Sequence, residues 1–293
     1  EELRGKWYKN SDILKHPLFI NNYTVRDADV TIATSWLTSY WTNRLGREKG
    51  KKLYFIQDFE TWGNYKHNRE VIKSYMLPFD ERITVSTALH NRLLMEIDID
   101  SKVVCNGVEN CFLKKNEKKY EKITIGMPYR DVRGADVKNC SLGTKVLLRI
   151  KEKNPSINIR VFGFKKPTGW NNEIEFLENP SREELVDFYN TSNIFYVPSV
   201  YEGWGLPAME AMAQGNCVVA SNSGFIKEIG IDRINCIIIN NPRDFDEAVC
   251  IIENLLQNKN MIREIGINAR MSVSEMSETD SAKKFEDILK GLK

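Results

Sequence analysis

The chain has 293 residues, of which 42% are hydrophobic and 28% are charged, a balance typical of a globular protein with room for two domains. Its 42 Lys and Arg residues nearly cancel its 40 Asp and Glu residues, and the net charge of +2 argues against a general polyanion binder such as a nucleic-acid protein. The six Cys residues form no Cys-x-x-Cys pair and have no His at ligand spacing, which argues against a zinc site and against a disulfide framework.

The N-terminal part of the chain alternates strand-like and helix-like segments, a pattern that predicts a parallel α/β architecture. The predicted strands cover residues 29–34, 53–56, 83–86 and 103–105. One helix is predicted from Trp36 to Leu45, where Gly46 ends it, and another after Ser86 or Thr87, which are good helix caps. No apolar run reaches the length that spans a membrane, and the scattered thiols fit a reducing compartment, so a cytoplasmic location is expected.

Residues 106–122 begin with an Asn-Gly turn signal. Five lysines crowd this segment: Lys114, Lys115, Lys118, Lys119 and Lys122. This composition predicts a solvated, flexible connection between two domains. Contact of the lysines with an anionic membrane surface is the alternative.

A second alternating series follows and predicts a second parallel α/β domain. Its predicted strands cover residues 123–126, 157–163, 194–197, 217–220 and 236–239. Its predicted helices cover residues 140–153 and 181–189 and, after the last strand, most of 243–292. Ser181-Arg-Glu-Glu is a capping-box pattern, which fixes the start of the second of these helices.

The most informative segment follows the strand predicted at 194–197 and contains Glu202 and Glu210 with seven residues between them. It holds a Gly-Trp-Gly turn, then a Leu-Pro pair and a helix-forming stretch. Proline is favoured in the first turn of a helix, and the free N–H groups of Gly205 and Leu206 lie at the positive end of that helix, where anions bind. An ionised carboxylate accepts hydrogen bonds from two neighbouring hydroxyls. A loop with both features predicts a nucleotide-sugar site.

Together with Cys217-Val-Val-Ala-Ser-Asn-Ser-Gly, this segment closely resembles the E-x7-E signature of retaining glycosyltransferase family 4, which has the GT-B fold. The resemblance is most specific over residues 194–224. It implies an α/β protein of two Rossmann-like domains that face each other across a cleft. It also implies that Glu202 contacts the donor sugar and that Glu210 contacts the ribose. The residues implied beside the nucleotide are Gly203, Gly205 and Leu206.

In the GT-B arrangement we expect an N-terminal, acceptor-side domain over residues 1–110 and a C-terminal, nucleotide-sugar-binding domain over 111–278. Residues 279–293 are expected to form a helix that returns to the N-terminal domain. The chain reaches Trp7 and Tyr8 without the opening strand and glycine loop of the family, so we expect the N-terminal domain to be incomplete.

Two further loops follow predicted strands of the C-terminal half. In the family, an Arg and a Lys after the first of these strands hold the diphosphate, and the resemblance assigns this role to Arg130 and Arg133, with Arg in place of Lys. Fixed cations there stabilise the charge of the departing diphosphate. Gly163 and Lys165 follow the second strand, which borders the nucleotide base in the family. Surface arginines and a solvated lysine pair are the structural alternatives.

Gln57-Asp58-Phe59-Glu60 follows the second predicted strand and resembles a phrase of bacterial rhamnosyltransferase-like members. A His often faces the transferred sugar at this place in the family, and none is present here. Asp58 is therefore expected to orient or deprotonate the acceptor hydroxyl, the alternative being a polar loop without a catalytic role.

An aromatic helix followed by basic residues is expected to present a core face, with peripheral membrane contact as the alternative. Its aromatic residues are Trp36, Tyr40 and Trp41.

The resemblance implies a retaining glycosyltransferase that moves a hexose from a UDP-, GDP- or dTDP-linked donor to a glycan or lipid-linked acceptor. It also implies that neither a metal nor a further cofactor is needed, because arginines and helix N–H groups take the place of a divalent cation. The rhamnosyltransferase-like phrase favours a deoxysugar donor such as dTDP-rhamnose, used for cell-surface polysaccharide at the inner face of the membrane. Two alternatives stay open: a GT-B sugar-nucleotide epimerase, and a non-catalytic nucleotide-sugar-binding subunit of a polysaccharide assembly complex.

Overall fold

The computed structural model of the chain describes residues 20–62, 67–114, 118, 120, 122–130 and 136–292. These residues form two compact units, which divide after Gly107 and after Ser277. We call residues 108–277 the central unit, and residues 20–107 together with 278–292 the N-terminal unit. The predicted domain boundaries at 110 and 278 lie within three residues of these divisions.

The described part of the N-terminal unit is a parallel sheet flanked by helices. Its elements before residue 107 are β1 (Val30–Ala33), α1 (Trp36–Asn43), β2 (Lys51–Ile56), α2 (Asn68–Tyr75), β3 (Glu81–Thr84), α3 (Thr87–Ile97) and β4 (Lys102–Val103). The strands pair in parallel in the order β1-β2-β3-β4. Ser35 and Ser86 begin α1 and α3, because each side chain accepts a hydrogen bond from a backbone N–H of the first helical turn.

The central unit continues the alternation of strands and helices. Its elements are α4 (Asn110–Leu113), β5 (Thr124–Tyr129), α5 (Cys140–Lys153), β6 (Asn158–Gly163), β7 (Glu175–Glu178), α6 (Arg182–Thr191), β8 (Ile194–Val197), α7 (Leu206–Ala213), β9 (Cys217–Ser221), α8 (Phe225–Ile229), β10 (Ile237–Ile239), α9 (Phe245–Leu256) and α10 (Lys259–Val273). The described strands pair in the order β10-β9-β8-β5-β6-β7, and all are parallel.

The core of the central unit is built from the apolar strands and the helices that cover them. Ile125, Val161, Ile194 and Val219, one from each of four strands, are fully buried. Val146, Leu147 and Ile150 form the matching apolar face of α5, and they are also fully buried. Each such aliphatic side chain contributes about 1.5 to 3 kcal/mol when it leaves water, so this core holds the loops at the strand ends in fixed positions.

The last helix, α11 (Glu278–Lys290), packs in the N-terminal unit. Its apolar face presents Phe285, Ile288 and Leu289 to the core around Leu53 and Ile83. The ring of Phe285 meets that of Phe55 edge to face, with the centroids 5.2 Å apart. The helix is polar on its other side, which explains why none of its residues is fully buried.

The predicted solvated lysine linker is wrong for Lys118. The Lys118 ammonium donates hydrogen bonds to the backbone oxygens of Tyr189, Asn190 and Ser192, at 2.7, 3.0 and 2.5 Å. These carbonyls lie at the C-terminal end of α6, where a cation is favoured because the helix leaves its last carbonyls unpaired. Burial, helped by the charge of Arg270, lowers the pKa of Lys118 to about 7. The lysine is therefore a helix cap that ties the segment before β5 to α6.

The strand order of the central unit reverses between β5 and β8. From β5 the chain moves outward to β6 and β7, and it then returns to the other side of β5 for β8, β9 and β10. In open parallel sheets the crevice outside the carboxyl ends of the strands at such a reversal is where ligands bind. The loops that follow β5 and β8 therefore flank the expected ligand site.

Candidate functional site

Glu202 lies in the loop between β8 and α7, at the strand-order reversal. Its carboxylate accepts a hydrogen bond from Ser199 Oγ at 2.7 Å, and its other oxygen lies 2.5 Å from Lys138 Nζ. The Ser199 backbone oxygen in turn accepts a hydrogen bond from Ser221 Oγ at 2.7 Å, which connects the loop to the end of β9. The Glu202 and Lys138 side chains are 17% and 20% exposed, so the ion pair is accessible but largely desolvated.

Lys138 reaches Glu202 because the residue after it holds three loops together. Asn139 begins α5 in the left-handed conformation, with φ of 50°, and is buried. Its side-chain amide donates hydrogen bonds to the backbone oxygens of Pro198, at 3.2 Å, and Pro242, at 2.6 Å. A further hydrogen bond, from Val200 N to the Val137 oxygen, joins the loop after β8 directly to the segment before α5. These bonds fix Lys138 beside the loop after β8.

Sequence reasoning selected Arg130 and Arg133 for the diphosphate and did not select Lys138. Arg130 follows β5 and is exposed, and its backbone N–H donates to Cys140 Sγ at 3.3 Å. Arg133 lies outside the described residues. The structure thus brings Lys138, rather than Arg130, to Glu202. The family resemblance implies a lysine as one of the two cations after β5, and a lysine two residues before α5 was the signal that could have identified Lys138.

The N-terminal end of α7 lies in the same loop as Glu202. Gly205 precedes α7 with φ of +96°, a conformation that glycine adopts without strain, and no side chain caps the first described turn of this helix. Leu206 begins the helix and is followed by a proline. The N–H groups at this end carry the partial positive charge of the helix, so the site combines a lysine ammonium with backbone donors that suit an anion.

The loop after β9 packs tightly against the Glu202 loop. Gly224 has φ of +52°, and a Cβ atom there would lie 2.4 Å from the Trp204 oxygen and 2.9 Å from Glu202 Cβ. The next residue, Phe225, donates its backbone N–H to the Trp204 oxygen at 2.5 Å. A small pocket with mostly apolar walls, lined by Glu202, Gly205 and Ser223, lies between the two loops. A side chain at Gly224 would displace Glu202 from this pocket.

Glu210 lies in the second turn of α7 and is 7% exposed. Tyr189 Oη donates a hydrogen bond to Glu210 Oε2 at 2.7 Å, and Arg182 Nη1 lies 3.6 Å from Glu210 Oε1. Burial raises the pKa of Glu210 from 4.5 to about 7, although the Tyr189 hydroxyl and the Arg182 charge oppose that rise. The sequence showed no basic partner at helical spacing on α7; the partner comes from α6.

Replacing Glu210 with glutamine is expected to stabilise the fold more at pH 8 than at pH 5. The pKa of Glu210 is higher in the folded chain than in the unfolded chain, so its contribution to stability is present below pH 4.5 and is lost as the pH rises through 7. The difference in free energy of unfolding between Glu210→Gln and the wild type should grow by about 2 to 3 kcal/mol from pH 5 to pH 8. Denaturant titrations at both pH values measure it.

Glu183→Gln is the matched control, because Glu183 is an exposed residue of α6. Burial also raises the pKa of Glu60 in the N-terminal unit to about 7, but Glu60 is present in all three proteins and its contribution cancels. An equal pH dependence of stability in the wild type and in Glu210→Gln would show that Glu210 is not buried as an acid.

Gly163 ends β6 and Lys165 lies just after it, two strands away from the Glu202 loop in the same sheet. A Cβ atom at Gly163 would lie 2.6 Å from the Tyr129 oxygen, so glycine is required where β5 and β6 end side by side. The Gly163 oxygen accepts a hydrogen bond from Asn179 N at 2.7 Å. Lys165 is exposed, as is Phe164 beside it. Both side chains are accessible to a ligand at the carboxyl edge of β6.

Asp58 belongs to the N-terminal unit, where it follows β2. Its carboxylate accepts a hydrogen bond from Phe59 N at 2.7 Å, and Tyr75 Oη donates to its backbone oxygen at 3.1 Å. Glu60, which sequence reasoning did not select, accepts a hydrogen bond from Trp36 N at 2.8 Å at the start of α1. Its burial, which raises its pKa, makes it a second acid of this loop that can exchange a proton near neutral pH.

Residues 20–62, 67–114, 118, 120, 122–130 and 136–292 contain neither a cluster of metal ligands nor a membrane-spanning helix. No group of three or more His, Cys, Asp or Glu side chains there is arranged to hold a metal ion. No helix in these ranges is both long enough and apolar enough to cross a bilayer.

Comparison with known proteins places the central unit in a family. Residues 114–272 match the family model described as Glycosyl transferases group 1. MMP alpha-(1->4)-mannosyltransferase of Mycolicibacterium hassiacum is 35% identical over 96 residues, which are 33% of this chain and 23% of that protein. D-inositol 3-phosphate glycosyltransferase of Corynebacterium diphtheriae is 27% identical over 168 residues, which are 50% of this chain and 39% of that protein. The chain therefore spans well under half the length of these curated relatives.

Solved structures match most of the chain. Sucrose-phosphate synthase of Thermosynechococcus elongatus aligns with 90% of this chain and 73% of its own, with a TM-score of 0.73 and 17% identity. HepE of Anabaena, solved with UDP and glucose, aligns with 90% of this chain and 78% of its own, with a TM-score of 0.73 and 14% identity. At these identities the likeness concerns the fold. The predicted α/β fold of the GT-B type, with two parallel-sheet domains, is confirmed.

Proposed function

Because the chain belongs to the family of glycosyl transferases group 1, we propose that it moves a sugar from a nucleoside-diphosphate donor to a glycan or lipid-linked acceptor with retention at the anomeric carbon. The observation that carries the proposal is the ion pair of Glu202 and Lys138 beside the uncapped start of α7. These groups meet at the strand-order reversal of the central unit, where parallel sheets bind ligands.

In this proposal the diphosphate lies at the start of α7. The N–H groups of Gly205 and Leu206 donate to its oxygens, and the Lys138 ammonium neutralises its charge. Arg130 and Arg133 are proposed to bind the same diphosphate, because arginine binds phosphate oxygens with two donors. Gly203 lets the loop pass close to the ligand. A metal is not needed to hold the diphosphate, since cations and helix N–H groups already supply positive charge.

Glu202 holds the donor sugar in this scheme. One carboxylate oxygen accepts from Ser199 and the other pairs with Lys138, so the orientation of the carboxylate is fixed. Hydroxyl groups of the sugar would donate to its remaining lone pairs. During transfer the bond from the anomeric carbon to the diphosphate oxygen breaks, and a bond to the acceptor oxygen forms on the same face. The proton of the acceptor hydroxyl passes to the departing diphosphate oxygen. Negative charge grows on the departing diphosphate next to Lys138, and a fixed cation there lowers the barrier. Glu210 holds the ribose, and Gly163 and Lys165 border the base.

The N-terminal unit is proposed to hold the acceptor, with Asp58 orienting its hydroxyl and Glu60 as the neighbouring acid. Peripheral membrane contact through α1, at a cytoplasmic membrane face, stays a prediction. Trp36, Tyr40 and Trp41 are all partly buried, and nearby lysines form internal ion pairs, as Lys49 does with Asp27 at 2.6 Å. Lys49 is therefore not available for contact with a membrane surface.

The first test is a binding screen with UDP-, GDP- and dTDP-linked sugars, including dTDP-rhamnose and GDP-mannose. A ligand that binds the folded state raises the melting temperature, by an amount that grows with its concentration over its dissociation constant. At least one nucleotide sugar, and its nucleoside diphosphate, should raise the melting temperature and should compete with each other. Absence of any shift across all three nucleotide classes would contradict the proposal.

The donor found in that screen then separates transfer from the alternatives. The protein is incubated with the donor, with and without candidate glycan acceptors and EDTA, and products are followed by chromatography. A transferase releases the nucleoside diphosphate with the sugar on the acceptor or, slowly, on water. An epimerase produces an isomerised sugar without an acceptor, and a binding subunit releases nothing.

A further inference from the structure

Glu210 is held by two side chains of α6, and one of these side chains also pairs with α4. Tyr189, in the last turns of α6, donates to Glu210 Oε2 at 2.7 Å. Arg182, the first residue of α6, lies 3.6 Å from Glu210 Oε1 and is paired with Glu109 at the start of α4. Arg182 also lies over the ring of Phe112, with 5.7 Å from Cζ to the ring centroid. The carboxylate therefore rests between one hydroxyl and one guanidinium, both of which favour its charge.

Building this arrangement costs stability. Glu210 and its helical neighbours Met209 and Ala211 are buried, and an ionised acid in such surroundings loses its hydration. The protonated form of the carboxyl group has the lower free energy in such surroundings, but it is a weaker hydrogen-bond acceptor than the carboxylate. The ion pair leaves Glu210 Oε1 without a short hydrogen bond, since 3.6 Å is too long for one. That oxygen keeps its capacity to accept from a ligand.

We propose that Tyr189 and Arg182 are positioning residues that hold Glu210 as an orientated carboxylate for the vicinal hydroxyls of the donor pentose. The inference rests on the proposed function, because it assumes a nucleoside-diphosphate ligand. Tyr189 donates to Oε2, and in this proposal Oε1 accepts from the pentose hydroxyls. Arg182 supplies positive charge without contacting the ligand itself, and Glu109 fixes the orientation of the guanidinium.

Nucleotide binding should then depend on pH in a defined way. Burial raises the pKa of Glu210, and the Tyr189 hydroxyl limits that rise, so loss of the hydroxyl should raise the pKa further. The charged and titratable groups that face Glu210 are Tyr189 and Arg182 on α6, with Glu109 and Cys111 behind them on and beside α4. Glu210 itself has a pKa of about 7, which lies within the pH range of the binding experiment.

The experiment measures the binding of UDP, 2′,3′-dideoxy-UDP and pyrophosphate by calorimetry from pH 5.5 to 8.5, with GDP and its dideoxy form if the screen selects guanosine. In the wild type, the advantage of UDP over dideoxy-UDP should fall as the pH drops below 7, and pyrophosphate binding should not follow this profile. Tyr189→Phe should move the midpoint to higher pH and weaken UDP binding at pH 7 about tenfold. Its pyrophosphate affinity should equal that of the wild type.

Tyr196→Phe is the matched control. Tyr196 is a fully buried tyrosine of β8 in the same unit, and its hydroxyl has no hydrogen-bond partner within the described structure, so its removal should leave the pH profile unchanged. Arg182→Gln should shift the profile in the same direction as Tyr189→Phe, and Arg182→Lys should restore part of it.

The outcomes separate the inference from the proposed function. If the wild type binds neither UDP nor GDP, the proposed function is wrong. If it binds them but dideoxy-UDP matches UDP at every pH, Glu210 does not hold the pentose and the inference is overturned. A Tyr189→Phe variant that keeps the wild-type midpoint and UDP affinity would also overturn it, because the hydroxyl would then not hold Glu210 for the pentose. The wild-type comparison of UDP with dideoxy-UDP tests the inference even if a variant fails to fold.

Discussion

Replacing Glu202 with glutamine is expected to lower donor turnover by about 100- to 1,000-fold while the fold and nucleotide binding persist. The variant keeps the size of the side chain but loses the charge that orients the sugar hydroxyls, and such preorganised contacts act mainly in the transition state. Turnover is measured as release of the nucleoside diphosphate from the donor sugar, with water or a glycan as acceptor. This readout does not require the natural acceptor to be known.

The same variant should bind the bare nucleoside diphosphate at least as tightly as the wild type does. In the wild type, Glu202 Oε2 lies 2.5 Å from Lys138 Nζ and partly neutralises it. Removing that negative charge frees the ammonium for phosphate oxygens, so affinity for UDP or GDP should rise while affinity for the nucleotide sugar falls. Glu183→Gln, an exposed change on α6, is the control. Unchanged turnover in Glu202→Gln would remove Glu202 from the proposed sugar site.

Elements whose pattern is local could be predicted from the sequence. The helix predicted at 140–153 and the strand predicted at 194–197 have those bounds in α5 and β8, because apolar periodicity in the first and a buried apolar run in the second determine their burial. The edge strand β7 (Glu175–Glu178) was not predicted. It is short, pairs with β6 alone and is only partly buried, so its extended conformation depends on a tertiary neighbour.

In the candidate site, too, the residues of one local motif could be predicted and those that depend on tertiary contacts could not. Glu202, Glu210 and the glycines beside them form a contiguous motif, so the sequence identified them together; their roles stay predictions. Lys138 is 64 residues from Glu202 and meets it only because Asn139 takes a left-handed conformation and binds two other loops. Arg182 approaches Glu210 from a separate helix. Spacing within one segment cannot predict contacts that depend on how several loops come together at the edge of a sheet.

Replacing Lys138 with methionine is expected to weaken nucleoside-diphosphate binding about 30- to 160-fold and to leave nucleoside binding unchanged. A charge-assisted hydrogen bond to phosphate contributes roughly 2 to 3 kcal/mol, and methionine keeps most of the apolar stem of lysine without its charge. Turnover should fall further than binding does, because charge on the diphosphate grows as the sugar departs. Calorimetry with UDP and uridine, or with GDP and guanosine, measures the first effect, and release of the diphosphate measures the second.

Lys145→Met is the control for this change, since Lys145 is an exposed lysine of the same helix, α5, that Lys138 precedes. Lys138→Arg should recover part of the diphosphate affinity, because the charge is retained. Arg130→Ala tests the diphosphate role that the family resemblance gives to Arg130: a larger loss of diphosphate affinity there than in Lys138→Met would make Arg130, rather than Lys138, the main cation of the diphosphate site. Equal losses for diphosphate and nucleoside in Lys138→Met would instead mean that the lysine holds the Glu202 loop in place and does not meet the phosphates.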